Sequence, residues 1–365
     1  MKIMTVFGTR PEAIKMCPVI LELKKYKSIE TIVCLTGQHR EMLSQVMNVF
    51  GICEDYNLEI MKENQTLAMI TSAVLTGIDN ILEQEKPDVV LVHGDTSTSF
   101  ATAVAAFYRN VKVGHIEAGL RTYNLQSPFP EEYNRQVVDL ISDYYFTPTE
   151  TAKRQLLKEG KKEECIYVTG NTVIDALNTT VTDDYTNEYL SWAEDSKLIL
   201  VTAHRRENLG LPMENICKAI DKIVQNNRDV KVIYPMHKNP KVRENAIKYL
   251  GNHERIKLIE PLDVFDFHNF INNSCIIMTD SGGVQEEAPS LGKPVLVLRD
   301  TTERPEGVEA GTLKLVGTNE KTIYVAANEL LHNEQLYNQM SKASNPYGDG
   351  HASERIVNIL INKLK

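Results

Sequence analysis

Short apolar runs alternate with amphipathic stretches along almost the whole chain. Continuous valine, isoleucine and leucine runs between helical patterns are typical of strands buried on both faces of a parallel sheet. In the first half such runs predict strands at 3–7, 31–35, 89–92, 111–116, 144–147 and 166–169. In the second half they predict strands at 198–202, 230–234, 256–259, 276–279, 295–298 and 312–316. Helical periodicity between them predicts helices such as 66–84, 98–108, 213–226 and 322–331.

The repeated strand–helix pattern is interrupted near Gly170–Asn171. A polar, turn-rich stretch at 179–187 follows, and a new strand opens at Leu198. We therefore predict an α/β protein with two Rossmann-like, doubly wound domains, at residues 1–170 and 171–352. Such domains bind ligands at the carboxyl ends of their strands, so we expect the site in a cleft where the two domains face each other.

Composition and charge narrow the class of protein. A chain of 365 residues is long enough for two sizeable cores, and 40 basic against 49 acidic residues give a net charge of −9. This charge argues against a broad surface for nucleic acid or anionic membrane. Arg10 closely follows the apolar N-terminal run, and we expect neither a signal peptide nor a membrane helix. Six scattered cysteines without C-x-x-C indicate reduced thiols, no zinc site and a cytoplasmic location.

The loops after the first strands carry charged residues. The first strand ends in G-T-R-P-E-A-I-K, where a helix start together with Arg10 and Lys15 favours an anion. An ordinary turn with two surface cations explains the same residues equally well. Asp95 follows another buried strand, where it would point into the cleft or simply cap the next helix. The chain has neither G-x-G-x-x-G nor a P-loop, which argues against a nicotinamide cofactor.

Three acids fall at one predicted edge of the first sheet. Asp95 and Glu117 follow strands, and Glu131 lies at a junction between a loop and a helix. Carboxylates gathered in a cleft have pKa values that are pushed apart, which separates acid from base roles. Three carboxylates also suit Mg²⁺. The nearby Arg121 and Arg135 argue against a metal.

The second half has basic and small residues at its strand ends. His204, Arg205 and Arg206 follow one strand, and this combination suits a diphosphate. Another strand leads into T-D-S-G-G-V-Q-E-E-A, where the amides of 281–283 can hold phosphate oxygens and Glu287 can reach a ribose. A glycine-rich turn followed by acids that favour the helix dipole explains the acids but not Ser-Gly-Gly.

The motifs F-G-T-R-P-E-A-I-K, H-G-D-T, H-I-E-A-G-L-R-T, P-F-P-E-E-x-N-R, A-H-R-R-E-N and T-D-S-G-G-x-Q-E-E-A-P occur in this order. Together they resemble the non-hydrolysing UDP-N-acetylglucosamine 2-epimerases, and the match runs from Met1 to the loop at 345–350 and the final helix. The resemblance implies a fold like that of the GT-B glycosyltransferases and a homodimer. It also implies that a helix at 353–365 packs back on the N-terminal domain.

The family's reaction converts UDP-GlcNAc into UDP-ManNAc by anti elimination of UDP to a 2-acetamidoglucal, followed by re-addition. The resemblance implies this reaction here without a metal or nicotinamide, supplying ManNAc for cell-surface polysaccharide. The family's catalytic residues map onto Asp95, Glu117, Glu131 and His204. Its contacts with the UDP-sugar map onto Arg10, Lys15, Phe267, Ser281, Gly282, Gly283, Glu287 and Arg304. Which carboxylate is the base and which the acid stays open at this point.

Bacterial members also bind a second, activating UDP-GlcNAc. Its contacts map onto Gln38, Glu41, Asn64, Arg205 and His237. Some relatives have Gln at position 41 and Arg at position 64, so we expect weaker activation by substrate in this chain. A hydrolysing epimerase that releases ManNAc and UDP, a GT-B glycosyltransferase and a non-catalytic nucleotide-sugar sensor are the alternatives.

Overall fold

The computed structural model describes residues 1–37, 40–62 and 64–364, excluding the side chains of residues 40–42. The chain forms two compact units. Unit 1 comprises Met1–Thr179 and Tyr347–Lys365, and unit 2 comprises Thr180–Pro346.

Each unit contains one sheet. The strands of unit 1 are β1 (Lys2–Phe7), β2 (Glu30–Leu35), β3 (Tyr56–Asn57), β4 (Val89–His93), β5 (Lys112–Ile116), β6 (Tyr144–Thr147) and β7 (Ile166–Val168). Its helices are α1 (Arg10–Lys24), α2 (Arg40–Val49), α3 (Leu67–Glu85), α4 (Ser97–Tyr108), α5 (Glu131–Ile141), α6 (Glu150–Lys158) and α7 (Thr172–Thr180), together with the C-terminal α16 (Ala352–Lys363).

Unit 2 repeats the same alternation. Its strands are β8 (Lys197–Thr202), β9 (Val230–Pro235), β10 (Ile256–Ile259), β11 (Ile276–Thr279), β12 (Val295–Val297) and β13 (Leu313–Leu315). Its helices are α8 (Glu188–Ala193), α9 (Leu211–Asn226), α10 (Pro240–Leu250), α11 (Val264–Asn272), α12 (Gly282–Ser290), α13 (Pro305–Glu309), α14 (Glu320–His332) and α15 (Glu334–Ser341).

The strand order determines where each unit can bind a ligand. Unit 1 has the order β3-β2-β1-β4-β5-β6-β7 and unit 2 has β10-β9-β8-β11-β12-β13. The strand pairs are parallel, as in β1 with β4 and β8 with β11. The order reverses between β1 and β4 in unit 1 and between β8 and β11 in unit 2. In open α/β sheets the crevice beyond the carboxyl ends of such strands is the ligand site.

Both faces of the sheets are packed. In β8, Ile199 and Val201 belong to one core cluster, whereas Leu198 and Leu200 belong to another. Successive side chains of a strand point to opposite faces, so each cluster covers one face. This explains the continuous apolar runs in the sequence. Among residues 1–37, 40–62 and 64–364, no helix is long and apolar enough to cross a membrane.

The predicted strands are all present, with ends shifted by a residue or so, and the doubly wound α/β class is confirmed. One further strand, β3, was missed. Its two residues contain no apolar run, so the sequence offers no periodic signal for it.

The division between the units differs from the predicted one at Gly170–Asn171. It lies between Thr179 and Thr180, so most of α7 belongs to unit 1. The Asn171 amide donates to Tyr347 O at 2.7 Å, and Asp175 accepts from the Ser353 amide at 2.7 Å. These bonds hold α7 and the returning C-terminal segment in the same unit, where α16 packs on α1.

Candidate active site

The loop after β1 is held by a buried carboxylate. Thr9 caps α1, and Glu12 Oε2 accepts from the amides of Gly8 (3.0 Å) and Thr9 (2.8 Å). Glu12 Oε1 accepts from Thr96 Oγ1 (2.6 Å) and Ser99 Oγ (3.2 Å) beside the start of α4. Burial raises the pKa of Glu12, which these hydrogen bonds oppose. The amides of Gly8 and Thr9, at the helix start suggested for an anion, are therefore occupied by Glu12.

Glu117 follows β5 and is surrounded by polar groups from other segments of unit 1. The Lys15 ammonium pairs with Glu117 Oε1, which also accepts from Asn171 Nδ2 at 3.1 Å. On the other side, His93 Nε2 lies 3.6 Å from Glu117 Oε2. Lys15 was predicted to contact the nucleotide, and the structure places its ammonium among the carboxylates.

Asp95 follows β4, the strand next to β5. Its Oδ2 pairs with Arg135 Nη2 at 2.5 Å, and its backbone oxygen accepts from Asn134 Nδ2 at 2.9 Å. Burial raises the pKa of Asp95, and the negative charges of Glu117 and Glu131 add to this effect, whereas Arg135 opposes it. The structure thus brings the three predicted carboxylates into one electrostatic group.

The two consecutive acids at the start of α5 have different environments. Glu132 is buried and accepts from the amides of Thr122 (3.0 Å) and Tyr123 (2.9 Å), which fixes the loop before the helix. Glu131 is partly exposed in the first turn of α5. The sequence pattern did not distinguish the structural Glu132 from its neighbour.

A buried ionic network supports the turn that precedes Asp95. His115 Nδ1 contacts Asp139 Oδ1 at 2.6 Å, and Arg121 Nη1 pairs with Asp139 Oδ2 at 2.8 Å. Burial raises the pKa of Asp139, but its interactions with His115 and Arg121 outweigh burial and bring the pKa below its usual value. His115 Nε2 lies 2.8 Å from Gly94 O. Because a carbonyl oxygen only accepts, Nε2 carries a proton and holds this turn.

His93 is a buried imidazole to which the sequence analysis gave no role. Burial lowers its pKa to about 3, so the ring is neutral at physiological pH. Its Nε2 has no hydrogen-bond partner in the part of the chain that the structure describes. The sequence feature that could have pointed to His93 is its place in the H-G-D-T motif, at the end of a buried strand.

In unit 2, Asp280 organises the loop after β8. Asp280 Oδ2 accepts from the backbone amides of His204 and Arg205, both at 2.8 Å, and from Asn208 Nδ2 at 2.9 Å. These bonds position His204 and Arg205 beyond the end of β8, the strand that pairs with β11. The motif T-D-S-G-G contains Asp280, but the pattern does not show that this residue serves another loop.

Two arginine side chains lie over the start of α12. A Cβ built on Gly282 would lie 3.7 Å from Arg304 Nη2 and 3.8 Å from Arg205 Nη2, so both guanidinium groups lie over this glycine. Ser281 is the N-cap residue of α12, and its side chain makes no capping bond. Arg304 also pairs with the buried Glu286. Two guanidinium groups and a helix N-terminus suit a phosphate group.

Glu287 and Phe267 lie on neighbouring helices of unit 2. His268 Nε2 lies 3.6 Å from Glu287 Oε2, and His268 Nδ1 lies 2.7 Å from Thr180 Oγ1. The buried His268 thus orients Glu287, which the sequence did not indicate. Phe267 is half-buried against the core that contains α11 and α12.

The proposed contacts of the activating nucleotide are only partly described. Gln38 and the side chain of Glu41 lie outside the described residues. Asn64 is exposed with φ +57°, a left-handed conformation that asparagine adopts more readily than most residues. The ring of His237 stacks on that of His204 at 5.1 Å, and Arg205 lies over α12. His237 and Arg205 therefore lie next to the predicted diphosphate residues of unit 2.

Comparison with known proteins identifies the family. The sequence profile described as UDP-N-acetylglucosamine 2-epimerase matches residues 21–361. The UDP-N-acetylglucosamine 2-epimerase of Bacillus subtilis is 62% identical over 99% of this chain and 95% of its own length. The chain belongs to the UDP-N-acetylglucosamine 2-epimerase family.

Two solved structures of similar proteins contain nucleotide ligands. A Neisseria meningitidis UDP-GlcNAc 2-epimerase bound to UDP-GlcNAc has a TM-score of 0.88 and 49% identity, covering 99% of this chain and 100% of that one. An S. aureus protein solved with UDP has a TM-score of 0.88 and 59% identity, covering 100% of this chain and 96% of that one. As a member of this family, the chain is an enzyme with the two parallel-sheet Rossmann-like units of the GT-B type.

For this epimerase-family chain, the structure divides the predicted site residues between the two units. Unit 1 holds Arg10, Lys15, Asp95, Glu117 and Glu131. Unit 2 holds His204, Phe267, Ser281, Gly282, Gly283, Glu287 and Arg304. The supporting roles of Glu12, His93, Asn171, Asp280 and His268 emerged only from the structure.

Proposed function

We propose that this chain interconverts UDP-GlcNAc and UDP-ManNAc without net hydrolysis, and that UDP-ManNAc supplies ManNAc for a cell-surface polysaccharide. The observation that carries the proposal is the group of three carboxylates, Asp95, Glu117 and Glu131, which lie after β4, after β5 and at the start of α5 in unit 1. Proton removal and proton return at one carbon need an acid and a base. The relatives' structures with UDP-GlcNAc and UDP support the substrate class.

Unit 2 would hold the nucleotide. The guanidinium groups of Arg205 and Arg304 and the amides at the start of α12 suit the diphosphate. Glu287, oriented by His268, would bind the ribose, and Phe267 would lie near the uracil. His204 completes the proposed diphosphate contacts in unit 2, and Gly283 lies beside Glu287, whose Oε1 is 3.4 Å from a Cβ built on that glycine.

Unit 1 would carry the proton transfers. Glu117 takes the C2 proton of UDP-GlcNAc while the C1–O bond breaks and its electrons leave with UDP, giving 2-acetamidoglucal. Asp95 then delivers a proton to the other face of C2 as a UDP oxygen adds back to C1. Two donors on Glu117 Oε1 favour its ionised form, and the raised pKa of Asp95 favours its protonated form. In the reverse direction the two residues exchange roles.

The decisive experiment follows UDP-GlcNAc and the enzyme in D₂O by NMR. We expect deuterium at C2 and a mixture of UDP-GlcNAc and UDP-ManNAc. Release of free ManNAc with UDP would instead show a hydrolysing epimerase. Absence of exchange would point to a glycosyltransferase or a nucleotide-sugar sensor and would overturn the proposal.

We also propose that substrate activation is weakened in this chain. An anion at position 41 and the loss of a cation at position 64 disfavour a second diphosphate nearby. Initial rates should therefore rise nearly hyperbolically with UDP-GlcNAc, and UDP-ManNAc alone should be consumed. Glu41→Gln should make the rate curve more sigmoidal. Strong sigmoidality in the unsubstituted enzyme, with no reverse reaction unless UDP-GlcNAc is added, would contradict this.

A further inference from the structure

Asp280 is a fully buried aspartate directly after β11, beside the point where the strand order of unit 2 reverses. Its Oδ2 is saturated by the amides of His204 and Arg205 and by Asn208 Nδ2. Its Oδ1 has no hydrogen-bond partner among the residues that the structure describes. A buried carboxylate oxygen without a donor is costly, so its placement needs an explanation.

The imidazole of His204 faces this oxygen. His204 Nδ1 lies 3.8 Å from Asp280 Oδ1, about one ångström beyond a charge-assisted hydrogen bond. The His204 side chain is 38% exposed, so one edge of the ring is open to a ligand while the other faces the aspartate. The backbone of the same residue is fixed by Asp280 Oδ2, so only a small side-chain movement closes the gap.

His237 determines which of two stacked imidazoles can carry charge. Its ring lies 5.1 Å from that of His204, with an interplanar angle of 14°. The Asn239 amide donates to His237 Nδ1 at 3.0 Å, so this nitrogen acts as an acceptor. Two stacked imidazolium ions would repel each other, and the geometry leaves the charge to His204, the ring that faces Asp280.

We propose that Asp280 is a positioning residue that accepts a hydrogen bond from His204 Nδ1–H and thereby presents a charged Nε2–H to the diphosphate of the substrate. The inference rests on the proposed function, because it assumes that UDP is the leaving group. A cation held there stabilises the negative charge that develops on UDP as the C1–O bond breaks. An aspartate that holds an imidazole by one nitrogen also selects its tautomer.

The surroundings make this charge conditional on the ligand. Burial lowers the pKa of His204, the Asp280 carboxylate raises it, and the positive charge of Arg205 lowers it. The free site therefore favours a neutral imidazole. A bound diphosphate adds negative charge, so His204 takes up a proton when the nucleotide binds.

The first test reads His204 directly in the full-length enzyme labelled with ¹⁵N-histidine. His204→Gln assigns its signals, and the pH titration is then compared between the unsubstituted chain and Asp280→Asn. We expect Asp280→Asn to lower the proton affinity of His204 about tenfold or more. Asn208→Ala is the matched control, because it removes a donor to the same carboxylate and keeps the negative charge. An unchanged His204 titration in folded Asp280→Asn would overturn the proposal.

The second test reads the unsubstituted chain alone, once the His204 signals have been assigned. The ¹⁵N shifts of His204 in the unsubstituted chain saturated with UDP should show protons on both ring nitrogens. A neutral ring with a bare Nδ1 in that complex would overturn the proposal. This readout needs no turnover, so it is independent of whether the D₂O experiment shows epimerisation.

A double-mutant cycle on kcat/KM separates positioning from general support of the loop. Asp280→Asn alone should lower kcat/KM about tenfold or more and move the alkaline limb of its pH profile to lower pH. In a His204→Gln background the same substitution should cause little further loss, because its effect acts through His204. Fully additive losses with an unchanged pH profile would assign Asp280 to folding alone.

Discussion

At the residue scale, neighbouring residues of one type serve different purposes in this protein. Glu131 and Glu132 are adjacent, yet Glu132 holds the amides of residues 122 and 123 while Glu131 acts on the charge of Asp95. Lys15, placed by sequence motif with the nucleotide contacts, pairs with Glu117. Environment, rather than residue type, sets the chemistry of each group.

Substitution of the two central carboxylates should separate the two half-reactions. Glu117→Gln should lower turnover of UDP-GlcNAc by about 10²-fold or more, because no base removes the C2 proton. Asp95→Asn should still form 2-acetamidoglucal and UDP but return little UDP-ManNAc. NMR of the products measures both, and calorimetry should show unchanged UDP affinity.

Asp79→Asn is a matched control for these variants, since Asp79 pairs with Arg109 on the surface of unit 1. It should leave both half-reactions intact. If Asp95→Asn or Glu117→Gln abolished UDP binding, that residue would belong to ligand holding and not to proton transfer.

His93 should make stability depend on pH. Its pKa is about 3 in the folded chain against an ordinary value of 6.5, so below pH 6.5 the unfolded chain binds a proton that the folded chain does not. This contribution lowers the free energy of unfolding as pH falls, by up to about 1.4 kcal/mol per pH unit. His93→Gln should flatten the dependence between pH 7 and 5 in urea unfolding. Parallel curves for the two proteins would contradict the assignment.

At the element scale, short loops at the carboxyl ends of strands carry the site because buried polar groups fix their shape. Glu12 joins the start of α1 to the Thr96 cap of α4, and Asp280 joins the end of β11 to the loop after β8. Each carboxylate replaces hydrogen bonds that water would otherwise provide. The sheet sets the positions of the loops, and these acids set their conformations.

Glu12→Ala should therefore destabilise unit 1. It leaves several buried donors unsatisfied, and we expect a loss of about 2 kcal/mol or more in the free energy of unfolding. Glu12→Gln should cost less, because its amide oxygen still accepts. Urea unfolding followed by circular dichroism measures both, with the exposed Glu83→Ala as a control. Equal effects of Glu12→Ala and Glu83→Ala would show that the carboxylate does not hold the loop.

At the scale of the whole molecule, two separate segments of the chain form unit 1. The first segment ends at Thr179 and the second begins at Tyr347, and α16 in the second segment packs on α1 in the first. Asp175 fixes the start of α16 by accepting from the amides of Ala352 (3.2 Å) and Ser353 (2.7 Å). The C-terminal helix is therefore part of the unit that carries the carboxylates.

Truncation after His351 should weaken unit 1 selectively. It removes the fully buried Ile356, Val357 and Leu360, each worth roughly 2 kcal/mol of apolar burial. Hydrogen exchange should rise in peptides from α1 and change little in peptides from β8 and β9. Asn358→Ala, which removes only an exposed 3.3 Å bond from Tyr26, is the control. Faster exchange confined to unit 2 would contradict this assignment.

The sequence by itself determined the strands other than β3, several of the helices and the family, because continuous apolar runs and ordered motifs are local patterns. It also placed Asp95 and Glu117 at strand ends, since parallel strands direct their carboxyl ends to one edge. The end of α7 was not predicted, and the return of α16 to unit 1 was expected only from the family resemblance. They depend on contacts between segments far apart in the chain, such as Asp175 with the amides of residues 352 and 353.

Only the tertiary structure decided which partner each polar group has. Asn171 reaches Glu117 across 54 residues of sequence, and Asp280 reaches His204 across 76. No spacing rule predicts such pairs, because folding of the intervening chain creates them. The same holds for the pKa values of His93 and Asp95, since burial shifts both and burial is a property of the packed fold.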